Sequence, residues 1–248
     1  LFLPRLPLDG FMALMAHIDV LLDPPHFGSG NTLYEAMVYG TLCWIKYRHY
    51  LYTDFDLAIF AHAESNLLRG SLFESIGGMP WLGGHVSPVM FLLAPLWLVA
   101  PHPLTLLVLQ AGALALGALP LHRMARRTTG SEPAALLLAA AGLLYPALGY
   151  TALFEFHPEA LATPALIFAM DALHAGRPRA MLLWTALALS TREDVALVVM
   201  GLALAAAIWS ERRDARGLYA GGLAGLAAVS LLVSFGFVMP TFGSGLTD

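Results

Sequence analysis

Long apolar runs without an ionised side chain constrain the fold of this chain more than any other feature. A helix needs about 20 apolar residues to cross the hydrocarbon of a bilayer, and residues 103–121, 133–154 and 218–239 each meet that length. Charged residues make up only 12% of the 248 positions, against about 25% in soluble domains. The sequence therefore predicts an all-α fold, a polytopic bundle of transmembrane helices.

Basic residues predict the orientation of these spans, because Lys and Arg in short loops stay on the cytoplasmic side. Residues 160–175 form a shorter apolar run that ends with Asp171 and His174, and we expect a fourth span there. Three basic clusters follow the first span: Arg123, Arg126 and Arg127; Arg177 and Arg179; and Arg212, Arg213 and Arg216. We expect these loops on the cytoplasmic side and the turn at 154–159 on the outer side.

Two further apolar segments are too short or too interrupted for a full crossing. Residues 180–209 are divided by Arg192, Glu193 and Asp194 into halves of roughly 18 to 23 Å. We expect two short helices or a re-entrant hairpin, because one straight helix would hold three charges near the centre of the bilayer. Residues 86–100 contain two prolines and favour a half-inserted helix, which leaves the side of the preceding residues open.

The first 41 residues follow a different pattern, because acidic residues and a glycine-rich loop interrupt their apolar runs. The pattern predicts a short soluble α/β fragment with a helix at 8–16, a strand at 17–22 and a helix at 31–39. The backbone amides of Gly30, Asn31 and Thr32 would open that last helix and are typical of a phosphate site. An ordinary capped helix after a turn is the alternative, and the pattern alone favours it.

Three runs in this fragment carry a resemblance to a known family: LPRLP at 3–7, HIDVLLDP at 17–24 and GSGNTLYEAMVYGT at 28–41. They resemble the carboxy-terminal half of soluble nucleotide-sugar transferases related to the O-linked N-acetylglucosamine transferase, which have a two-lobed GT-B fold. The resemblance implies that Gly30, Asn31, Thr32 and Glu35 contact the donor's diphosphate and ribose. About forty residues are too few to form that site alone. We therefore expect an inert foreign segment at 1–41, joined to a membrane domain at 42–248, in a chain truncated at one or both ends.

Ionisable residues near the ends of apolar segments are the candidates for chemistry. Asp54 and Asp56 can bind a divalent cation, or one of them can act as a general base. The alternative is a helix cap at Asp54 with Asp56 in the first turn. His85 and His157 each precede a proline that starts a helix, where capping or interfacial anchoring is the alternative. We expect these residues to share one face of the bundle. The same face should hold the ionisable residues of two turns: Glu155, Glu159, Arg192, Glu193 and Asp194.

Several separated motifs carry a second and wider resemblance. They are DFDLAIF at 54–60, HVSP at 85–88, LLAPL at 92–96, Gln110, FHPE at 156–159 and Arg192-Glu193-Asp194. Over residues 47–243 the chain resembles DUF2079, a family of uncharacterised polytopic proteins of bacteria and archaea, which implies an integral protein of the cytoplasmic membrane. Family members often have a lysine at the place of Arg192, and most of their first span is replaced here. The family is in turn similar to the GT-C class of membrane glycosyltransferases.

The similarity to GT-C enzymes implies transfer of a sugar from a polyprenyl-phosphate donor to an acceptor hydroxyl at the outer face of the bilayer. It implies Asp56 as the base with Asp54 beside it, and Glu155 and Glu193 as polar or metal-coordinating groups. The substrate and its lipid phosphate are expected at His85, His157, Glu159, Arg192 and Asp194. The participation of a divalent cation stays open, and the net charge of -4 indicates no nucleic-acid partner. The alternative is a transporter or lipid-binding protein without catalytic activity, in which the same side chains line a pathway.

Overall fold

The predicted all-α fold is confirmed. The structure, a computed structural model, describes residues 30–53, 55–209 and 216–243. Within those residues the only β-structure is an antiparallel ribbon of β1 (Phe73–Glu74) and β2 (Met79–Pro80). The helix predicted at 8–16 and the strand predicted at 17–22 lie outside the described residues.

The ribbon and four helices form the described amino-terminal part of the chain. The helices are α1 (Gly30–Arg48), α2 (Asp56–Leu67), α3 (Trp81–Gly84) and α4 (Val89–Val99). The helix predicted at 31–39 is part of the longer α1, which runs without a break across position 41. The division into a soluble fragment and a membrane domain at that position stays a prediction.

The remaining helices follow in chain order: α5 (Pro103–Leu116), α6 (Ala118–Thr129), α7 (Glu132–Leu143), α8 (Pro146–Leu153), α9 (Ala162–His174), α10 (Pro178–Leu189), α11 (Val195–Trp209), α12 (Arg216–Val233) and α13 (Met239–Gly243). A 3-10 helix, Pro158–Leu161, precedes α9, and a π-helical segment, Ser234–Val238, joins α12 to α13. Proline stands in the first or second position of α5, α7, α8 and α10. There its fixed φ favours the helix, and the missing N–H costs nothing.

Two helices of the described part are long and apolar enough to cross a membrane. One is Pro103–Thr129, with 27 residues, in which α5 and α6 continue as one helix; the other is Gly217–Gly243, also with 27 residues. Helices α7 and α8 make a third crossing if their bend of 46° lies within one span. These helices coincide with the three long apolar runs of the sequence.

Helix α9 occupies the place of the fourth predicted span. It has 13 residues and is therefore about 20 Å long, against a hydrocarbon thickness of about 30 Å. The segment predicted at 160–175 is thus not among the helices of sufficient length. The total number of spans stays a prediction.

Two short helices occupy residues 180–209, as both predicted arrangements require, and whether they form a re-entrant hairpin stays a prediction. Helix α10 ends at Leu189 and α11 begins at Val195, so the charged residues between them lie in a turn. Helix α10 packs mainly against α9, and α11 packs mainly against α12. The two helices therefore diverge from their common turn, and a single straight helix is excluded.

The basic residues that follow the first span are tied to neighbouring helices by acidic side chains. Asp171 of α9 is buried and pairs with Arg127 and with Arg123, whose Nε lies 3.3 Å from Oδ2. Glu132 of α7 pairs with Arg126 at 3.1 Å. These pairs hold α6, α7 and α9 together at the end of the bundle that we predict to be cytoplasmic.

A buried carboxyl group lies in the middle of α2. Glu64 is fully buried, and both of its carboxyl oxygens lack a hydrogen-bond partner within the described residues. Burial disfavours the charged form and raises the pKa of Glu64 to about 7, from 4.5 in the free side chain. The folded protein therefore holds this group as a neutral acid below neutral pH.

We expect Glu64 to make the stability of the fold decrease with rising pH. Between pH 4.5 and about 7 the folded state keeps the proton of Glu64 and the unfolded state loses it. The free energy of unfolding should therefore fall by about 3 kcal/mol across this window. Thermal unfolding of the detergent-solubilised protein from pH 4.5 to 7.5 measures this fall. The change Glu64→Gln should flatten it, whereas Glu132→Gln should retain it. An unchanged slope in Glu64→Gln would contradict the assignment.

Candidate functional site

A carboxylate and an imidazole meet at the amino-terminal end of α2. Asp56 is the first residue of α2, and His157 immediately precedes the 3-10 helix. The Nε2 atom of His157 lies 3.0 Å from Oδ2 of Asp56, and their side chains are 24% and 40% exposed. The pair is thus close enough to hydrogen-bond and still open to a ligand.

The second nitrogen of the His157 ring also faces an acceptor. Nδ1 lies 3.0 Å from the backbone oxygen of Glu155, while Nε2 faces Asp56. A carbonyl oxygen and a carboxylate only accept hydrogen bonds, so both contacts are satisfied together when both ring nitrogens carry a proton. His157 therefore bridges the side chain of Asp56 and the backbone of Glu155.

Glu155 supports this pair from within the protein. It is 2% exposed, and its Oε2 accepts a hydrogen bond of 2.8 Å from the backbone N–H of Leu57. Phe55, at the N-cap of α2, has no side-chain acceptor for the free amides of the first turn. The carboxylate of Glu155 accepts a hydrogen bond from one of these amides in place of an N-cap side chain. Its negative charge also interacts favourably with the positive end of the helix dipole. Through this contact Glu155 positions the first turn of α2, which carries Asp56. A catalytic role for Glu155 stays a prediction.

Gln110 of α5 fastens the turn that carries Glu155 and His157. It is fully buried; its Nε2 donates to the backbone oxygens of Thr151 (2.8 Å) and Glu155 (3.3 Å), and its Oε1 accepts the N–H of His157 (2.9 Å). In the sequence Gln110 was part of a family motif but received no role. A role could have been inferred from its side-chain amide, which stands in a largely apolar helix, because a buried amide needs hydrogen-bond partners.

Arg192 is held by carboxylates on two sides. Its Nη1 lies 2.6 Å from Oε1 of Glu159, and its Nε lies 3.3 Å from Oδ2 of Asp194. Burial lowers the pKa of Arg192, but the charges of Glu159, Asp194 and the adjacent Glu193 outweigh burial and raise it. Surrounding carboxylates thus neutralise this arginine, which disfavours the predicted role of binding a lipid phosphate.

Glu193 joins the other predicted histidine to the same turn. Its Oε1 lies 2.9 Å from Nδ1 of His85, and its Oε2 accepts the N–H of Val86 at 2.9 Å. Burial raises the pKa of Glu193, but the hydrogen bonds from His85 and from Val86 outweigh burial and lower it. Glu193 is therefore an ionised clamp between the turn before α11 and the segment before α4.

The predicted site residues between 55 and 209 form one linked set in the structure. The set contains three groups: Asp56 with His157; Glu159 with Arg192 and Asp194; and Glu193 with His85. His157 and Glu159 share one turn, and the residues at 192–194 share another. Asp54 lies outside the described residues. Gly30, Asn31, Thr32 and Glu35 fall in the first turns of α1, where only the backbone is described, so their role as an inert fragment stays a prediction.

Two grooves lie near the amino-terminal end of α2. One, of about 400 Å³, is lined by Glu155, His157 and Glu159 and by the nearly parallel rings of Tyr150 and Phe154. The other, of about 520 Å³, includes Leu57, the residue after Asp56, in its lining. Asp56 contacts His157 of the smaller groove and precedes Leu57 of the larger one, although its own side chain is in neither lining.

The described residues do not include three or more His, Cys, Asp or Glu side chains arranged to hold a metal ion. The closest grouping pairs each acid with one basic side chain rather than turning several acids toward one point. Asp54 lies outside these residues, so a divalent cation stays a prediction.

The comparison with protein families tests the wider of the two resemblances that the motifs carry. A family model described as a predicted membrane protein, DUF2079, matches residues 47–248. The chain belongs to the DUF2079 family. It is a membrane protein, as the apolar helices also indicate. The match begins inside α1 and covers all the described residues of the linked set.

No curated protein and no solved structure matches the chain. The family match confirms the wider resemblance to DUF2079. The similarity to GT-C enzymes and the GT-B likeness of the first 41 residues stay predictions. The family description gives a location in a membrane and no reaction.

Proposed function

We propose that this DUF2079 protein transfers a sugar from a polyprenyl-phosphate donor to an acceptor hydroxyl at the outer face of the membrane. The observation that carries the proposal is the open pair of Asp56 and His157, which belongs to the smaller groove through His157 and adjoins the larger one through Leu57. A general base must reach the proton of an acceptor hydroxyl, and an exposed carboxylate held by one imidazole partner meets this need.

Asp56 acts as the base in the proposed reaction. The acceptor oxygen forms a bond to the anomeric carbon of the sugar, while the bond between that carbon and the phosphate oxygen breaks. The proton of the acceptor passes to Asp56, and the electron pair of the broken bond leaves with the polyprenyl phosphate. One oxygen of Asp56 contacts His157, and its other oxygen takes the proton. His157 orients the carboxylate.

The groove beside His157 is suited to the acceptor. Tyr150 and Phe154 lie with their ring centroids 6.5 Å apart and their planes at 18°, and the ring of His157 lies 5.3 Å from that of Phe154. Flat aromatic faces pack well against the C–H face of a sugar ring, and Glu159 at the rim accepts hydrogen bonds from hydroxyl groups. A hydroxylated acceptor that enters here reaches His157, the partner of Asp56.

The reaction can be tested on the reconstituted protein without knowing the acceptor. The chain in lipid nanodiscs is incubated with polyprenyl-phosphate mannose or glucose and a membrane extract that supplies acceptors. Release of polyprenyl phosphate is measured by mass spectrometry, because every sugar yields this product. We expect release above that of empty nanodiscs. If neither donor is consumed while the sugar lipid crosses the bilayer of proteoliposomes, transport replaces transfer.

A further inference from the structure

Among the described residues, the larger groove beside α2 presents hydrogen-bond donors and no acid. Its lining includes Arg48, His102 and the aromatic rings of Trp44, Tyr47 and Tyr52. Arg48 is exposed and has no carboxylate partner within the described residues; its guanidinium lies 5.5 Å from the centroid of the Trp44 ring. Arg48 thus differs from Arg192, whose charge is neutralised by Glu159 and Asp194.

His102 offers a second donor to the same groove. It is the N-cap of α5, and its Nδ1 accepts the backbone N–H of Leu104 at 3.2 Å. Because Nδ1 accepts, the neutral ring carries its proton on Nε2, which leaves an N–H available to a ligand. The positive end of the α5 dipole lies beside this ring.

Lys46 adds positive charge behind the aromatic lining. Its Nζ lies 4.5 Å from the centroid of the Tyr52 ring and donates a hydrogen bond of 2.6 Å to the backbone oxygen of Leu153. No carboxylate of the described chain pairs with it. The groove therefore combines a guanidinium, an imidazole and a nearby ammonium, a set that attracts a phosphate group.

An apolar groove lies next to the cationic one. It has a volume of about 370 Å³ and is lined by Leu96 of α4 and by Leu104, Thr105, Val108 and Leu109 of α5. Leu104 belongs to both linings. The side chain of Val108 is half-exposed, on a helix that is long and apolar enough to cross a membrane. A ligand that fills both grooves must have an anionic end and an apolar end.

The aromatic residues place the cationic groove at the depth of an interface. Tyr and Trp concentrate where a membrane protein meets the headgroups, and this groove begins at the end of α5 that lies away from the basic cluster of α6. Tyr50, at its rim, is 91% exposed and has a φ of 53°, a left-handed conformation that is strained for a tyrosine. Such strain is most often found at ligand sites.

We infer that these two neighbouring grooves bind a membrane lipid with a phosphate headgroup, which contacts Arg48 and His102 while its chain lies along Leu104 and Val108. The inference rests on the proposed function in one respect, because it identifies the lipid with the polyprenyl-phosphate donor. It moves the phosphate from Arg192 to the larger groove. The anomeric carbon next to that phosphate then lies at the boundary between donor and acceptor grooves.

Binding can be measured on the full chain in nanodiscs, with polyprenyl monophosphate as the probe and tryptophan fluorescence as the signal. We expect Arg48→Gln to weaken binding about tenfold, because a charge-assisted hydrogen bond is lost. His102→Asn should also weaken it; asparagine keeps an oxygen for the N–H of Leu104, so the helix cap survives. Arg179→Gln removes an equal charge from the first turn of α10, at the predicted cytoplasmic side, and should leave the affinity unchanged.

Two further arms identify the ligand chemistry. Val108→Asn should weaken binding of polyprenyl phosphate and leave competition by inorganic phosphate unaltered, because only the lipid uses the apolar groove. The inference is overturned if Arg48→Gln and His102→Asn both bind with native affinity, or if Val108→Asn does. Groove-dependent binding without sugar transfer would refute only the proposed function. Transfer that is unaffected by Arg48→Gln would refute only the lipid site.

Discussion

The change Asp56→Asn should lower the release of polyprenyl phosphate at least about 100-fold, the range expected when a general base is lost. Asparagine has the shape of aspartate, and its side-chain oxygen still accepts a hydrogen bond from His157, which lies 3.0 Å from Asp56. The amide cannot take the proton of an acceptor hydroxyl at neutral pH. The loss should therefore appear in kcat, because the grooves that bind the two substrates remain.

The control for this variant removes a carboxylate elsewhere. Glu132 pairs with Arg126 at the other end of the bundle, so Glu132→Gln should transfer sugar at the native rate. Asp56→Asn itself should insert into membranes, unfold at a similar temperature and bind polyprenyl phosphate with native affinity. Undiminished release in Asp56→Asn would reject Asp56 as the base, and a parallel loss of lipid binding would reject the division into donor and acceptor grooves.

The apolar helices could be predicted from the sequence because membrane crossing imposes a length and excludes charge. The ends of these helices were predicted less accurately. The first span was expected to end at residue 121, yet the helix continues to Thr129. The arginines end the apolar run but do not end the helix. A helix can extend beyond the hydrocarbon into water with its backbone hydrogen bonds intact, and Arg is a good helix former. The first helical stop is Gly130, which has a positive φ.

The ionisable residues of the site could be named from the sequence, but their partners could not. Asp56 and His157 were both expected on one face, and nothing in their spacing indicated that they touch. The contact of Glu155 with the N–H of Leu57 joins residues 98 positions apart. Such a bond depends on how α2 and the turn after α8 pack, which local pattern does not encode. Arg192 was expected to bind phosphate because its positive charge was visible, whereas its pairing with Glu159 and Asp194 was not.

Glu155→Ala should lower the free energy of unfolding by about 3 kcal/mol, because it leaves the N–H of Leu57 without an acceptor inside the protein and opens a small cavity. It should also slow transfer at temperatures where the protein is fully folded, since Asp56 begins the same helical turn. The test combines denaturant titration in detergent with the transfer assay. Because Glu155 acts through the backbone of α2, we expect kcat to fall more than the affinity for polyprenyl phosphate.

Glu155→Gln is the matched variant that separates positioning from charge. Glutamine keeps an oxygen for the N–H of Leu57, whose hydrogen bond to Glu155 is 2.8 Å long in the native protein. It should therefore recover most of the stability that alanine loses, and more of the transfer rate. If instead Glu155→Gln is as slow as Glu155→Ala while it unfolds like the native protein, the negative charge of Glu155 takes part in the chemistry itself. In that case the carboxylate is catalytic, and the positioning role assigned from its buried contact with α2 is wrong.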